Sequence, residues 1–360
     1  MAATRLGAML AGARCCAAAA RRSAATATTV GFVGLGSMGG PMASNTAARF
    51  GSGALVAHRL LLMDLRAGVA DELAARYPRN VSAAASLEEL AGVCDLIVLS
   101  LPDGQVVQET VAALAKHLEE SKQMHRLPLV VDTSTTSPEV AREAAAKLDA
   151  LAGKASGIDG LRGGFLDAPV TGTPSRARTG TLTAMVGGEG RQVAQASLVL
   201  ETFAERVLHM GAVGNGQIAK AMNNCLYNVS CAAMAEMLPL AARAGLPLET
   251  FVEAVSMGTG QSFGFGQWAP RVLSREFEAP AHGYPMGSAF KDLETLAAVA
   301  SEHGLQTPPV VAAARGTYER ALAMGLRQEH KGAMVKVFER ELGVVCRPGI
   351  GSDEGRDGPE

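Results

Sequence analysis

From residue 28 the apolar positions fall into two alternating rhythms. Short uninterrupted runs, TVGFVGLG, RLLLMD, CDLIVLSLP and LPLVVDTST, each lead into a turn rich in Gly, Asp, Ser or Pro, and longer segments separate them. Apolar runs of this length bounded by turn residues suit strands covered on both faces. Strand, turn and helix in repetition predict a doubly wound, mostly parallel α/β sheet. Further strands are expected at FLDAPVTG, TLTAMVGG and RVLHMG.

Beyond about residue 212 the strand-like runs stop, and Ala, Met and Leu dominate. GQIAKAMNNCLYNVSCAAMAEMLPLAARAG carries Ile218, Met222, Leu226 and Val229 at helical spacing. Some thirty residues of helix would span ~45 Å, enough to join two domains. Pro239 is expected to kink it, because proline removes a backbone donor and crowds the preceding turn. Shorter helices are expected at LETFVEAVSMG, GSAFKDLETLAAVASEHG and VVAAARGTYERALAMG, each closed by glycine. The expected organisation is an α/β domain over 28–212, an all-helical domain over 213–346 joined to it by the long helix, and a polar, Gly-rich tail over 347–360.

A chain of 360 residues, 48% apolar and 19% charged, has material for two cores, and its net charge of −2 argues against a nucleic-acid surface. No uncharged apolar run approaches the roughly 20 residues of a spanning helix, so no membrane partner is expected. The expected ligand class is reduced to small molecules. The first acidic residue is Asp64, whereas the opening segment holds Arg5, Arg14, Arg21 and Arg22 among Ala, Ser and Thr. This is the composition of a transit peptide, expected over 1–27, with the mitochondrial matrix as destination. Cys15 and Cys16 belong to that leader, and the remaining cysteines make no CxxC pair, so neither a disulfide framework nor a metal site is expected.

GLGSMG provides Gly34, Gly36 and Gly39 in GxGxxG spacing between a strand and a helix, with Leu35, Ser37 and Met38 completing the turn. The first glycine permits the tight turn, the second a close pyrophosphate, the third close packing of helix on strand. Asp64 ends the next strand, where its carboxylate can accept hydrogen bonds from the ribose hydroxyls of a dinucleotide. Its spacing exceeds the usual value, and FGSGALVAHR reads as an inserted loop. A carboxylate there repels a 2'-phosphate and favours NAD over NADP, while Arg66 pulls the other way.

Only eight of the 33 basic residues are lysines, and Lys220 stands where no acidic residue occurs between Glu205 and Glu236. A lysine can lose its proton when its surroundings lower its pKa; an arginine cannot. Asn224, four residues on, projects from the same helix face, and Asn223 lies one residue round. A solvated helix lysine is the plain alternative. In DAPVTGTPSRARTGTLTAMVGG a strand breaks into a loop where Thr171 and Gly172 could offer a hydroxyl and backbone N–H groups to a small carboxylate. Lys291, in AFKDLE, is a third candidate, with Asp292 and Glu294 beside it supporting an ordinary surface role.

Four blocks, GFVGLGSMGGPMASN, DAPVTGTPSRARTGTLTAMVGG, GQIAKAMNN and FKDL, occur in the order seen in the β-hydroxyacid dehydrogenase family, which the chain resembles over about 29–342. The resemblance implies a Rossmann-type NAD-binding domain followed by an all-α domain. It implies Lys220 as catalytic acid/base, Thr171 and Gly172 as holders of the substrate carboxylate and Asn224 as the residue that orients the substrate. It also assigns Leu101, Pro102, Val106, Thr135 and Lys291 to the cofactor region. The double asparagine, SMGTG at 256–260 and the leader are most similar to the mitochondrial branch that oxidises 3-hydroxyisobutyrate in valine breakdown. The family usually has Ser-Gly-Gly where this chain has Thr171-Gly172-Thr173, which loosens the substrate assignment, and LAGKASGIDGLRGG looks inserted. Reductases of tartronate, succinic or glyoxylic semialdehyde are rival readings, and a non-catalytic dinucleotide-binding scaffold a remoter one. The resemblance further implies a homodimer or homotetramer assembled through the helical domain.

Overall fold

The structure is a computed structural model that describes residues 28–51, 58–121, 127–152, 163–279 and 284–349. The expected leader and most of both expected insertions lie outside the described residues, as does the expected tail from residue 350. The chain divides into two compact units, with the boundary between Lys220 and Ala221.

The first unit is built on one sheet of nine strands. Its strands are β1 (Thr29–Val33), β2 (Arg59–Met63), β3 (Val81–Ala83), β4 (Leu96–Leu99), β5 (Leu129–Asp132), β6 (Gly164–Asp167), β7 (Val170–Thr171), β8 (Leu182–Gly187) and β9 (Ala204–Gly211). Their order is β3-β2-β1-β4-β5-β6-β8-β7, with β9 also paired to β8. The six strands from β3 to β6 are mutually parallel, as the apolar runs predict, while β8 is antiparallel to β6 and β7. This is the Rossmann-type doubly wound sheet expected, with an antiparallel addition that the sequence pattern did not reveal. β3, only three residues long, also escaped the pattern.

Each central strand is dry on both faces because its alternate residues enter different cores. Val30, Phe32, Leu60, Leu62, Leu96 and Val98 belong to one, and Val33, Leu61, Ile97, Leu99 and Val130 to the other. The first core is covered by α1 (Gly39–Phe50), α2 (Val69–Ala75) and α7 (Gly190–Phe203), the second by α3 (Leu87–Val93), α4 (Gly104–Glu120) and α5 (Pro138–Ala152). Ser86 and Asp103 cap α3 and α4 by accepting backbone N–H bonds, satisfying donors that a helix start leaves over. A short α6 (Pro174–Arg178) follows β7.

α8 (Asn215–Arg243) runs as one element through Pro239. By length and composition it could cross a membrane, although Lys220, Glu236 and Arg243 leave it no uncharged run of about twenty residues. More than half of its most apolar window is buried inside the protein, as befits a core helix. The second unit continues with α9 (Leu248–Met257), α10 (Phe263–Leu273), α11 (Met286–Glu302), α12 (Pro309–Ala323) and α13 (Val335–Leu342) around a single core that includes Leu238, Trp268, Leu293 and Tyr318. α10 and α13 were not singled out in the apolar pattern.

Candidate active site

The glycine turn has the geometry its spacing implies. Gly34 lies at φ 90°, and a Cβ there would sit 2.3 Å from the Ser100 carbonyl oxygen. A Cβ on Gly39 would lie 2.0 Å from the Gly34 carbonyl, so the helix start and the strand end are in direct backbone contact. A Cβ on Gly36 would meet nothing within 4 Å, and Gly36 and Ser37 are exposed. A tight turn that leaves its second glycine facing open space before a helix N-terminus fits a pyrophosphate.

Asp64 is joined to this turn directly. Its Oδ2 accepts from the Leu35 N–H at 2.7 Å, and its Oδ1 accepts from the Arg66 N–H and Nε at 2.9 Å each. The Arg66 side chain, 61% exposed, also donates to the Leu35 carbonyl. The Arg66 hydrogen bond holds the Asp64 carboxyl down at about 2, so the group at the end of β2 is an anion under all working conditions. The same arrangement leaves an exposed guanidinium two residues from Asp64.

The next loops along the sheet are linked to each other. Leu101, after β4, donates its N–H to Ser134 Oγ at 2.8 Å. Pro102 and Thr135 are exposed, and Leu101 and Val106 partly so. At the end of β6, Asp167 is fully buried and accepts from the N–H groups of Gly214 (2.7 Å) and Gln217 (2.9 Å), in the first turn of α8. Gln217, also fully buried, donates to the Ser134 carbonyl and accepts from the Thr136 N–H. Lys220 follows one turn later and is partly buried. Thr171, in the β7 ladder opposite Thr183, is partly buried, and Gly172 is exposed.

In the second unit Asn224 donates to Asp292 Oδ2 at 3.1 Å, and its own Oδ1 accepts from Asn223. Asp292, which entered the sequence reading only as a charged neighbour of Lys291, is only 6% exposed and also accepts from Asn228 and from the Tyr284 hydroxyl. The signal was present in the sequence: Asp292 shares the helical period of Ala289, Leu293 and Leu296, which form the buried face of α11. Lys291, its neighbour, is exposed. Lys331, 1% exposed, places its ammonium 4.5 Å from the Tyr227 ring centre and 4.8 Å from that of Tyr284, and burial lowers its pKa. Neither Lys331 nor the Asp132, Asp167 and Gln217 group figured among the candidates read from the sequence.

Residues 29–211 match the family model described as the NAD binding domain of 6-phosphogluconate dehydrogenase. Residues 214–338 match the NAD-binding model of NADP-dependent 3-hydroxyisobutyrate dehydrogenase. The chain is 31% identical over 325 residues to 2-(hydroxymethyl)glutarate dehydrogenase of Eubacterium barkeri, covering 89% of this chain and 98% of that one. It belongs to the β-hydroxyacid dehydrogenase family. The mitochondrial 3-hydroxyisobutyrate dehydrogenase of Mus musculus is 33% identical over 256 residues, 71% of this chain and 69% of that protein. Among solved structures, the 3-hydroxyisobutyrate dehydrogenase of Mycobacterium tuberculosis with L-serine has a TM-score of 0.69 at 27% identity, covering 86% of this chain and 99% of that one. The Salmonella typhimurium 3-hydroxyisobutyrate dehydrogenase gives the same TM-score at 28% identity, covering 86% and 100%. The chain is therefore an NAD(P)-dependent oxidoreductase that acts on the CH–OH group of a small hydroxy acid.

Proposed function

We propose that this β-hydroxyacid dehydrogenase oxidises 3-hydroxyisobutyrate to methylmalonate semialdehyde with NAD, in the mitochondrial matrix, as a step of valine breakdown. The observation that carries this reading is the likeness to mitochondrial 3-hydroxyisobutyrate dehydrogenases, joined to an acid-free, Arg-bearing leader. The NAD preference rests on the Asp64 anion, which disfavours a 2'-phosphate. When bound in this cradle, the dinucleotide would supply the hydride acceptor for the substrate carbinol.

Lys220, neutral when it acts, takes the hydroxyl proton, and as an ammonium returns it in the reverse direction. The Thr171 hydroxyl and the backbone at Gly172 hold the substrate carboxylate. The Asn224 amide orients the alcohol, and its tie to Asp292 limits the rotations open to that amide. Gly34, Leu35, Gly36, Ser37, Met38 and Gly39 cradle the dinucleotide phosphates, with Asp64 on the ribose. Leu101, Pro102, Val106, Thr135 and Lys291 complete its binding region. Leu226, 75% exposed, and Met222, 49% exposed, on α8 support self-association through the helical unit as a homodimer or homotetramer.

A second substrate is favoured by one observation: the 2-(hydroxymethyl)glutarate dehydrogenase likeness spans more of this chain than the mouse one does. The two acids differ by a second carboxylate. Purified enzyme is to be assayed on 3-hydroxyisobutyrate, 2-(hydroxymethyl)glutarate and, in the reductive direction, tartronate, succinic and glyoxylic semialdehydes, with NAD and NADP in parallel. The highest kcat/KM is expected for 3-hydroxyisobutyrate with NAD. A higher value for any other pair overturns the assignment.

A further inference from the structure

Asp132 and Asp167 end adjacent parallel strands and are partners in the register of β5 and β6, so their side chains leave the sheet on the same side. Both are fully buried. Two carboxyl groups so placed need compensation, and each has a different kind. Asp167 receives the Gly214 and Gln217 N–H groups at the positive end of α8. Asp132 Oδ1 accepts from the Ser134 N–H at 2.9 Å, while its Oδ2 is buried with no hydrogen-bond partner. A proton on that oxygen leaves one charge in the pair rather than two, and burial raises the Asp132 carboxyl to about 7.

The start of α8 is thus clamped from two directions. Gly216 belongs to the clamp, since a Cβ there would lie 2.4 Å from the Met185 carbonyl oxygen and 2.8 Å from Asp167 Oδ2. Gln217 is the second tie, with both ends of its amide engaged by the loop after β5 at 2.9 and 3.0 Å. That loop contains Thr135, and Ser134 is bonded in turn to Leu101. Gln217 and Lys220 are three residues apart on a helix and share a face. Rotation or sliding of the first turn therefore moves the lysine.

We propose that Gln217 and Asp167, with Asp132 as the protonated partner of the carboxyl pair, are the positioning residues for Lys220: they hold its helix in register with the loops after β4 and β5. The inference rests on Lys220 as the proton-transfer group. A displacement of about 1 Å can cost on the order of a hundredfold in rate, so a fully buried, fully bonded tie one turn away is suited to this task.

The test compares full-length Gln217→Met, which keeps the buried volume, and Asp167→Asn, which turns an amide towards N–H donors, with wild type and Lys220→Ala. NADH titration by fluorescence counts folded sites. Per folded site, both positioning variants should lose roughly ten- to a hundredfold in kcat, with NADH affinity within about threefold of wild type. The KM of the hydroxy acid should move less than kcat, and a carbinol-deuterated substrate should show a larger isotope effect on kcat as hydride transfer becomes limiting. Wild-type kcat per site in either variant, while Lys220→Ala is inactive, overturns the positioning role alone. Turnover retained by Lys220→Ala overturns the underlying reading. Were Asp167→Asn unable to fold, Gln217→Met, which removes no charge, decides the question, and a drop in folded sites with kcat per site intact counts against the proposal.

Discussion

Two strand ends of one parallel sheet carry the same residue to opposite purposes. Asp64, after β2, lies beside the Arg66 guanidinium, which holds its carboxyl at about 2. Asp132, at the end of β5, is sealed from water beside Asp167, and burial lifts it to about 7. One is an anion beside an exposed turn; the other is a buried group that keeps its proton to a much higher pH. On the proposed function their difference separates two tasks of a dehydrogenase: the region around Asp64 would select and bind, whereas the buried region that runs through Gln217 to the start of α8 would arrange the chemistry.

The largest contrast should come from Lys220→Ala, which removes the proposed proton-transfer group and leaves the Asp64 region untouched. It is expected to lower kcat by about a hundred- to ten-thousandfold while NADH affinity by fluorescence titration stays near wild type. Asp64→Ala should do the reverse. Loss of the proposed ribose acceptor should raise the KM for NAD by about ten- to a hundredfold, with kcat at saturation little changed and the proposed preference over NADP narrowed by the released Arg66. Steady-state kinetics with both cofactors checks this, and an unchanged ratio of NAD to NADP efficiency would count against Asp64 as the selecting group.

Asp132→Asn probes the buried region through stability. The folded carboxyl binds its proton more tightly than the unfolded one, which titrates near 3.9. Its contribution is therefore intact below about pH 4 and is lost as pH rises from there through about 7. The amide has no such titration, so thermal melts should show the variant gaining on wild type across this window by several degrees and matching it in trend below. A melting difference that stays flat with pH would show that Asp132 does not titrate there. The smallest effect is expected for Arg66→Ala. An exposed ion pair is screened by solvent and contributes little, so the KM for NAD should change by less than about fivefold, with a larger loss for NADP.

Much of the molecule could be read from its one-dimensional pattern. Uninterrupted apolar runs announced β1, β2, β4 and β5, because parallel strands dry on both faces need no alternation. The glycine spacing announced the turn whose backbone contacts the structure displays at Gly34 and Gly39. The three-residue β3 was too short to stand out, and the antiparallel β8 was indistinguishable from its parallel neighbours, since strand direction leaves no mark on composition. Candidate acids were harder. Asp292 entered the reading only as a neighbour of Lys291, although its helical period matched the buried face of α11.

The sequence by itself determined the order of elements, the nucleotide-binding turn and the family, because each depends on local spacing that survives in a linear string. Only the tertiary structure decided what each acid does. Asp64 and Asp132 both close apolar strands and precede turn residues, and Arg66 is the one local cue that tells them apart. The charge of Asp64 is set first by Arg66 and then helped by Leu35, distant in sequence, whereas that of Asp132 is set by the surrounding dry interior and by Asp167. The same holds for Lys220. Its residue type suggested proton transfer, but the tie through Gln217 to Ser134 and Thr136, some eighty residues earlier, exists only once the chain has folded.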